Sequence, residues 1–432
     1  MELFKHQKDA LEQTKDLNRV AYYLDMGLGK TFVGAEKMDD LGANINLIVC
    51  QKSKIEDWID HIKEYYAEYL VLNLTNLCGM KAFLSWSHTN MKIVGIINYE
   101  LLWRRPQLIE SLNEQPFTMM LDESSVIQNT GANWTKKGVL KLEPKNVILL
   151  SGTPTSGKYE NLWSQIHLLG WKISEEVYNR QYVNWTKIDM GGFTHKIVDK
   201  ENPYKNVDRL KSKLREHGAV FMKTEECFDL PEQTFIKQFV PASKEYWKFM
   251  KDCIITIVDK ELVGDTTLTK RLYARQLCGQ YSEYKLQAFR ELVESTQDRL
   301  IVFYNFTAEY LAMVQIAEEL GRPQSIVNGQ QKQLLNYEQY DNSITFIQYQ
   351  AGAMGLNLQK ANKIIYFTLT DKSELFEQSK KRIHRIGQEQ PCFYYILMCK
   401  GSVEEVILQT LEMRKDFTDE LFNEYERMEN NG

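Results

Sequence analysis

Short apolar runs closed by turn or charged residues recur in two series along this chain, each alternating with stretches of helical period. The first series covers residues 20–24, 45–50, 93–97, 119–121 and 147–150. The second covers 300–304, 344–349, 364–367 and 393–398, with helical segments such as 307–320 between the runs. Strands that are apolar throughout must be buried on both faces, which parallel sheets achieve by covering each face with crossover helices. The expected fold class is therefore α/β, with two lobes that each hold a mostly parallel sheet flanked by helices. The expected division is an N-terminal lobe over residues 1–225 with a helical insertion at about 155–225, a linker and helical insertion over 226–295, and a C-terminal lobe over 296–432. A Gly191-Gly192 pair inside the insertion is positioned to close a hairpin. Residues 403–422 carry apolar positions Val403, Val406, Ile407, Leu411, Phe417, Leu421 and Phe422 after Ser402, which predicts a capped amphipathic helix packing back on a lobe.

Composition excludes some classes. With 432 residues, 43% hydrophobic and 26% charged, the chain has enough apolar content for folded cores, so disorder is not its main state. The charged start, and the lack of any run of about 18 apolar residues, point to a soluble, intracellular protein without a membrane partner, and a cytoplasmic location and a monomeric state are the further expectations. The seven cysteines (Cys50, Cys78, Cys227, Cys253, Cys278, Cys392 and Cys399) never form a Cys-x-x-Cys pair and are expected to be reduced core thiols. A net charge of −5 requires any nucleic-acid contact to be local. One basic patch (Lys200, Lys205, Arg209, Lys211, Lys213, Arg215 and Lys223) offers such a contact or is simply solvated helix surface; the acidic tail reads as solvated surface.

After the first run, Gly27-Leu28-Gly29-Lys30-Thr31 opens a helix. Glycines let backbone N–H groups converge on phosphates, a helix N-terminus adds partial positive charge, Lys30 can reach the β and γ oxygens, and Thr31 can offer its hydroxyl to Mg2+. The strict phosphate-loop pattern wants glycine where this chain has Leu24. The run 119–121 ends directly in Asp122-Glu123. Of this pair, Asp122 is the expected metal ligand and Glu123 the group that orients or deprotonates an attacking water. Gln7 can donate to and accept from one adenine edge, selecting ATP over GTP, unless it is an ordinary surface residue.

These residues together resemble the Swi/Snf-type ATPases of helicase superfamily 2, over residues 4 to about 410. Asp25-Met26-Gly27-Leu28-Gly29-Lys30-Thr31 is similar to that family's phosphate loop, in which Leu24 is no anomaly. Val49-Cys50-Gln51-Lys52-Ser53 resembles its first DNA-contacting motif, Asn98-Tyr99-Glu100 the next element along the lobe, Leu121-Asp122-Glu123-Ser124-Ser125 its Asp-Glu box, and Leu150-Ser151-Gly152-Thr153-Pro154-Thr155 its Ser-x-Thr coupling motif. In the second half, Ala351-Gly352-Ala353-Met354-Gly355-Leu356-Asn357-Leu358 resembles the segment that meets both DNA and nucleotide. Gln378-x-x-x-Arg382-x-His384-Arg385-Ile386-Gly387-Gln388 is similar to the last motif. Two departures stand out: Ser125 replaces a frequent histidine, so coupling through that side chain cannot operate as in relatives, and Ala353 replaces a glycine.

The resemblance implies two RecA-like lobes, in a compact form similar to bacteriophage or bacterial members, acting as an ATP-hydrolysing translocase on double-stranded DNA. The alternative is a strand-separating DNA or RNA helicase. ATP and Mg2+ are the implied cofactors. Lys30, Asp122, Glu123, Arg382 and Arg385 are the implied catalytic groups. Gln7, Gly27, Leu28, Gly29, Lys30, Thr31 and Gly355 would bind nucleotide, with Thr31 and Asp122 on the metal. Lys52, Ser53, Asn98, Thr153, Asn305, Gly352, Asn357 and Lys360 would meet DNA, mostly at phosphates, with little sequence preference.

Overall fold

The computed structural model of this chain describes residues 2–86, 91–189, 194–257, 260–351 and 356–422. The backbone divides into two compact units, Met1–Cys227 with Asp416–Gly432, and Phe228–Lys415.

The first unit contains β1 (Arg19–Leu24), β2 (Ile45–Cys50), β3 (Leu70–Asn73), β4 (Ile93–Asn98), β5 (Thr118–Asp122), β6 (Asn146–Leu150), β7 (Trp185–Asp189), β8 (Thr194–Val198) and β9 (Ala219–Met222). Seven of these form one sheet in the order β3-β4-β2-β5-β6-β1-β9, every neighbouring pair parallel. Side chains alternate across it. Tyr23, Val49, Leu121 and Leu149 enter one buried core, while Met120 and Leu150 face the helix Lys30–Asp40. A Cβ on Gly34 of that helix would meet Leu150 Cδ1 at 2.8 Å and Met120 Sδ at 2.9 Å, so glycine lets the helix lie close on the sheet. Each fully buried aliphatic side chain contributes about 1.5–3 kcal/mol. Parallel pairing puts all strand C-termini on one edge, and there β5, β6 and β1 are consecutive.

The second unit holds β10 (Gln233–Val240), β11 (Ile254–Ile257), β12 (Lys260–Val263), β13 (Leu300–Tyr304), β14 (Gln324–Val327), β15 (Lys332–Gln333), β16 (Ile344–Gln348), β17 (Lys363–Tyr366) and β18 (Cys392–Cys399). Its sheet runs β10-β18-β17-β13-β16-β14-β15 and is parallel except for the β14–β15 pair. Leu300, Val302 and Tyr304 enter the core on one face; Ile301 and Phe303 enter the core on the other.

Of residues 226–295, expected as linker and helical insertion, those from Phe228 onward are instead part of this unit. β10 pairs with β18 from Gln233↔Cys392 to Val240↔Cys399, and Phe249, Leu277 and Phe289 pack in the same core as Leu300 and Val302. The stretch 155–225, expected as helical with a hairpin about Gly191-Gly192, contributes the antiparallel β7–β8 hairpin on either side of that pair, which itself lies outside the described residues, and also the edge strand β9, which was not expected. The final helix is Val403–Phe422. Its Ile407, Leu408 and Leu411 are buried in the second unit, whereas Val406, expected on the apolar face, is 57% exposed. From Asp416 onward this helix groups with the first unit, where the Phe417 carbonyl accepts from Tyr159 Oη at 2.6 Å.

All seven cysteines are free, but the expectation of core thiols holds only for Cys50, Cys278, Cys392 and Cys399; Cys78 is exposed and Cys227 and Cys253 are half-buried. Cys278 and Cys399 adjoin Glu404, whose two oxygens each accept from Lys285 Nζ at 2.6 Å, so an ammonium already neutralises that carboxylate. No helix among the described residues is long and apolar enough to cross a membrane.

Candidate active site

The loop after β1 turns on two glycines. Gly27 and Gly29 take φ values of +90° and +73°, which L side chains avoid, and Gly29 immediately precedes the helix Lys30–Asp40. Lys30 Nζ donates to the carbonyls of Leu24 at 3.0 Å and Asp25 at 3.3 Å, folding back over its own loop. Thr31 is half-buried in the first turn. Leu28 is buried, and its carbonyl accepts from Gln7 Nε2 at 3.2 Å and lies 3.0 Å from His6 Nε2. Gln7 is therefore no ordinary surface residue: it is 3% exposed, and its Oε1 accepts from the Phe4 N–H at 2.9 Å. These two bonds use one N–H and one lone pair of its amide.

Asp122 closes β5 and Glu123 follows with φ +52°, a left-handed conformation costing a non-glycine residue about 1–3 kcal/mol and concentrated at functional sites. Asp122 Oδ2 accepts from Trp58 Nε1 at 2.9 Å, and its carbonyl accepts from Tyr99 Oη at 2.8 Å. Burial raises the Asp122 carboxyl above the usual range, while the indole bond and the charges of Lys30 and Lys54 pull it down. Lys30 and Asp122, more than ninety positions apart in sequence, thus act electrostatically on each other.

The loop after β6 lies between these two. A Cβ on Gly152 would stand 3.4 Å from Lys30 Nζ and 3.5 Å from Met26 Cγ. The Thr153 N–H donates to Ser151 Oγ at 3.2 Å, and Thr153 itself is half-buried. Ser156 and Gly157 complete the turn at φ +49° and +72°. Lys52 and Ser53 are exposed at the C-terminal end of β2, whereas Asn98 is 8% exposed with Nδ2 donating to Glu100 Oε2 at 2.7 Å. Lys54, beside them, pairs with Asp57 at 2.7 Å.

Three residues missed at the sequence level hold this arrangement together: Trp58, Thr224 and Gln165. Thr224 Oγ1 donates to Asp25 Oδ2 at 3.0 Å, fastening the loop after β1 to the segment after β9. Of the basic patch, Lys211 is buried beside Asp208, Lys213 pairs with Glu216 and Lys223 with Asp419, leaving Lys200, Lys205 and Arg209 exposed.

In the second unit, Arg382 is 2% exposed, with Nη1 3.4 Å from the Leu356 carbonyl. Arg385 is half-buried and donates to Asn357 Oδ1, and burial lowers its proton affinity. Gln388 ties the motif down by donating to the carbonyls of Ala361 at 2.9 Å and Gln359 at 3.1 Å. Asn357 and Lys360 are exposed, and Lys360 pairs with Glu338. Asn305 spends its Nδ2 donors internally on Thr368 Oγ1 at 2.9 Å and the Leu369 carbonyl at 3.1 Å. Gly352 and Gly355 lie outside the described residues.

The family described as SNF2-related domain matches residues 23–286, and the Helicase conserved C-terminal domain matches residues 284–387. A Bacillus subtilis protein whose name describes it as an ATP-dependent helicase/translocase, YwqA, is 23% identical over 92% of this chain and 46% of its own length. The Saccharomyces cerevisiae DNA repair and recombination protein RDH54 is 22% identical over 96% of this chain and 52% of its own. The chain thus spans about half the length of these relatives. Among solved structures, the Sulfolobus solfataricus SWI2/SNF2 ATPase core in complex with dsDNA is 18% identical, covers 97% of this chain and 92% of that one, and has a TM-score of 0.46. Because the SNF2-related match takes in more than half of the residues, the chain belongs to the SNF2-related domain family.

Proposed function

We propose that this chain is an ATP-driven motor acting on DNA and, more finely, a translocase on the duplex form. The observation that carries the reading is the adjacency of three strand ends, β1, β6 and β5, which gathers Lys30, Gly152 and Asp122-Glu123 at one edge of one sheet. Lys30 and the backbone N–H groups after Gly27 would hold the β and γ phosphates. Gln7 would read adenine. Glu123 would orient the attacking water and take its proton as the water oxygen bonds to the γ phosphorus and the bond from that phosphorus to the β–γ bridging oxygen breaks, that oxygen leaving with ADP. A hydroxyl and a carboxylate form an oxygen-only donor set suited to a hard cation, so Thr31 and Asp122 are the proposed magnesium ligands. Bound magnesium would supply charge to the phosphate oxygens.

Arg382 and Arg385 are the proposed stabilisers of developing γ-phosphate charge, the dependence that would link hydrolysis to conformational cycling. Lys52, Ser53 and Lys360 would touch the DNA backbone, predicting weak sequence preference and strong salt dependence. The relatives' printed names, a helicase/translocase and a DNA repair and recombination protein, support the same direction.

The test is a titration of ATP turnover with duplex DNA, single-stranded DNA and RNA. Duplex DNA is expected to stimulate most, with Lys30→Ala inactive and Glu123→Gln binding ATP without hydrolysing it. Stimulation mainly by RNA, or turnover in either variant equal to wild type, rejects the reading. A strand-displacement assay on the same preparation separates a translocase from a strand-separating helicase.

A further inference from the structure

Gln165 sits in the short helix Trp163–Leu168 and is 0% exposed. Its amide touches three segments of the nucleotide site at once. Oε1 accepts from Ser124 Oγ at 2.8 Å, in the box that follows β5, and from Tyr23 Oη at 3.0 Å, one residue before the end of β1. Nε2 donates to the Pro154 carbonyl at 2.7 Å, in the loop that follows β6. The same carbonyl lies 3.4 Å from Gln128 Nε2, which also approaches Ser156 Oγ at 3.3 Å. A buried amide with three directed bonds cannot absorb a displacement at one partner without straining the others, because an unsatisfied polar atom there costs about 1–3 kcal/mol.

We propose that Gln165 is the positioning residue that transmits the state of the Asp122-Glu123 box to the Thr153-Pro154-Thr155 loop. It would do so through its buried amide. The inference rests on the reading of this chain as a DNA-dependent ATPase. When nucleotide draws Asp122 and Glu123 into place, Ser124, next in sequence, moves with them. Its hydroxyl carries Gln165, and Gln165 carries the Pro154 carbonyl and hence the orientation of Thr153. In reverse, DNA on that loop acts on the box. Tyr23 also donates to the same oxygen, but it belongs to β1 and anchors the amide without lying on this route.

The experiment compares ATP turnover with and without linear duplex DNA in wild type, Gln165→Met, Ser124→Ala and Tyr23→Phe, with KM for ATP and a thermal melt for each. Gln165→Met and Ser124→Ala are expected to lower the ratio of DNA-stimulated to basal turnover about ten-fold, the factor one lost hydrogen bond commands. KM for ATP should stay within about two-fold, since neither group touches nucleotide. Tyr23→Phe should keep the wild-type ratio. Ser124→Ala removes a single hydroxyl and decides the matter if Gln165→Met fails to fold. An unchanged ratio in Ser124→Ala or in folded Gln165→Met overturns the proposal, as does an equal loss in Tyr23→Phe, which would make the amide a packing element only. Absence of stimulation in wild type instead overturns the DNA reading itself, and this inference with it.

Discussion

The Trp58 indole N–H donates a 2.9 Å hydrogen bond to Asp122 Oδ2, joining the helix Ile55–Tyr65 to the tip of β5. Burial pushes the Asp122 carboxyl towards its protonated form, and this bond opposes that push and fixes the carboxylate's direction. Trp58→Phe keeps most of the buried ring and removes the donor. The carboxyl then titrates higher and is less well aimed, so the concentration of Mg2+ needed for half-maximal ATP turnover should rise about 10–100-fold, the usual cost of losing an outer partner of a metal ligand. Because a protonated carboxyl cannot bind the cation, the defect should be larger at pH 6.5 than at pH 8. A Mg2+ titration at both values checks this; identical curves for variant and wild type reject the role.

A Cβ on Gly29 would fall 2.2 Å from Gln7 Nε2, at a φ of +73°. Gly29→Ala therefore meets two penalties, a left-handed backbone costing about 1–2 kcal/mol and displacement of Gln7 from the Leu28 carbonyl. ATP affinity, followed with a fluorescent nucleotide, should drop at least about ten-fold. Gln7→Ala in the same background removes the clash but not the backbone strain, so affinity should recover only in part. Gln7→Ala alone should weaken ATP and narrow its margin over GTP. Full recovery in the double variant would locate the whole effect in the clash.

How much of this was legible in the sequence depends on what made each element. β1, β2, β4, β5, β6, β13, β16, β17 and β18 were readable because central parallel strands are apolar on both faces; β2, β4 and β6 are buried at every position. β3, β9, β10 and β14 were not. β3 is half-buried throughout, β9 has four residues after a charged helix, and β10 alternates exposed and half-buried positions around Lys237, as edge strands do. Missing β10 is why residues 226–295 read as linker. The glycine loop before Lys30 and the Asp122-Glu123 pair could be singled out as candidates because each is a short local pattern. Trp58, Thr224 and Gln165 were not, because what makes each important is a partner 64, 199 or 41 positions away. Nor does the sequence show that Arg382, one of the implied catalytic groups, has a side chain only 2% exposed.

Glu309 Oε2 accepts from the N–H groups of Asn305 and Phe306 at 3.0 and 3.1 Å and from Thr368 Oγ1 at 2.9 Å, capping the helix Thr307–Glu319 and linking the ends of β13 and β17. Burial pushes its carboxyl up to about 7, against the pull of those three donors and of Lys285. The folded state thus keeps a proton that the unfolded chain has lost above about 4.5. The resulting stability is fully present below that pH and disappears as pH rises through 7, amounting to about 3 kcal/mol at most. Amide-exchange protection at Asn305 and Phe306, corrected for intrinsic rates, should fall between pH 5 and pH 8 in wild type and stay flatter in Glu309→Gln. Equal slopes in the two proteins would remove Glu309 from the account.

Arg382 and Arg385 share one motif but differ in burial, and their variants should separate. Arg385 is half-buried and bonded to Asn357, so Arg385→Ala leaves the core of the second unit intact. If it stabilises γ-phosphate charge, turnover should fall about 10³-fold or more with little change in melting temperature. Arg382 is 2% exposed and its Nη1 donates to the Leu356 carbonyl, so Arg382→Ala empties volume beside Leu356 and Ile383 and leaves that carbonyl without this donor. It should lower stability by about 2–4 kcal/mol as well as activity. Paired melting and turnover measurements on both variants decide the assignment. Wild-type turnover in Arg385→Ala would exclude that side chain from catalysis. An unshifted melt in Arg382→Ala would mean that the buried guanidinium contributes nothing to holding the motif, and its burial would then need a catalytic explanation.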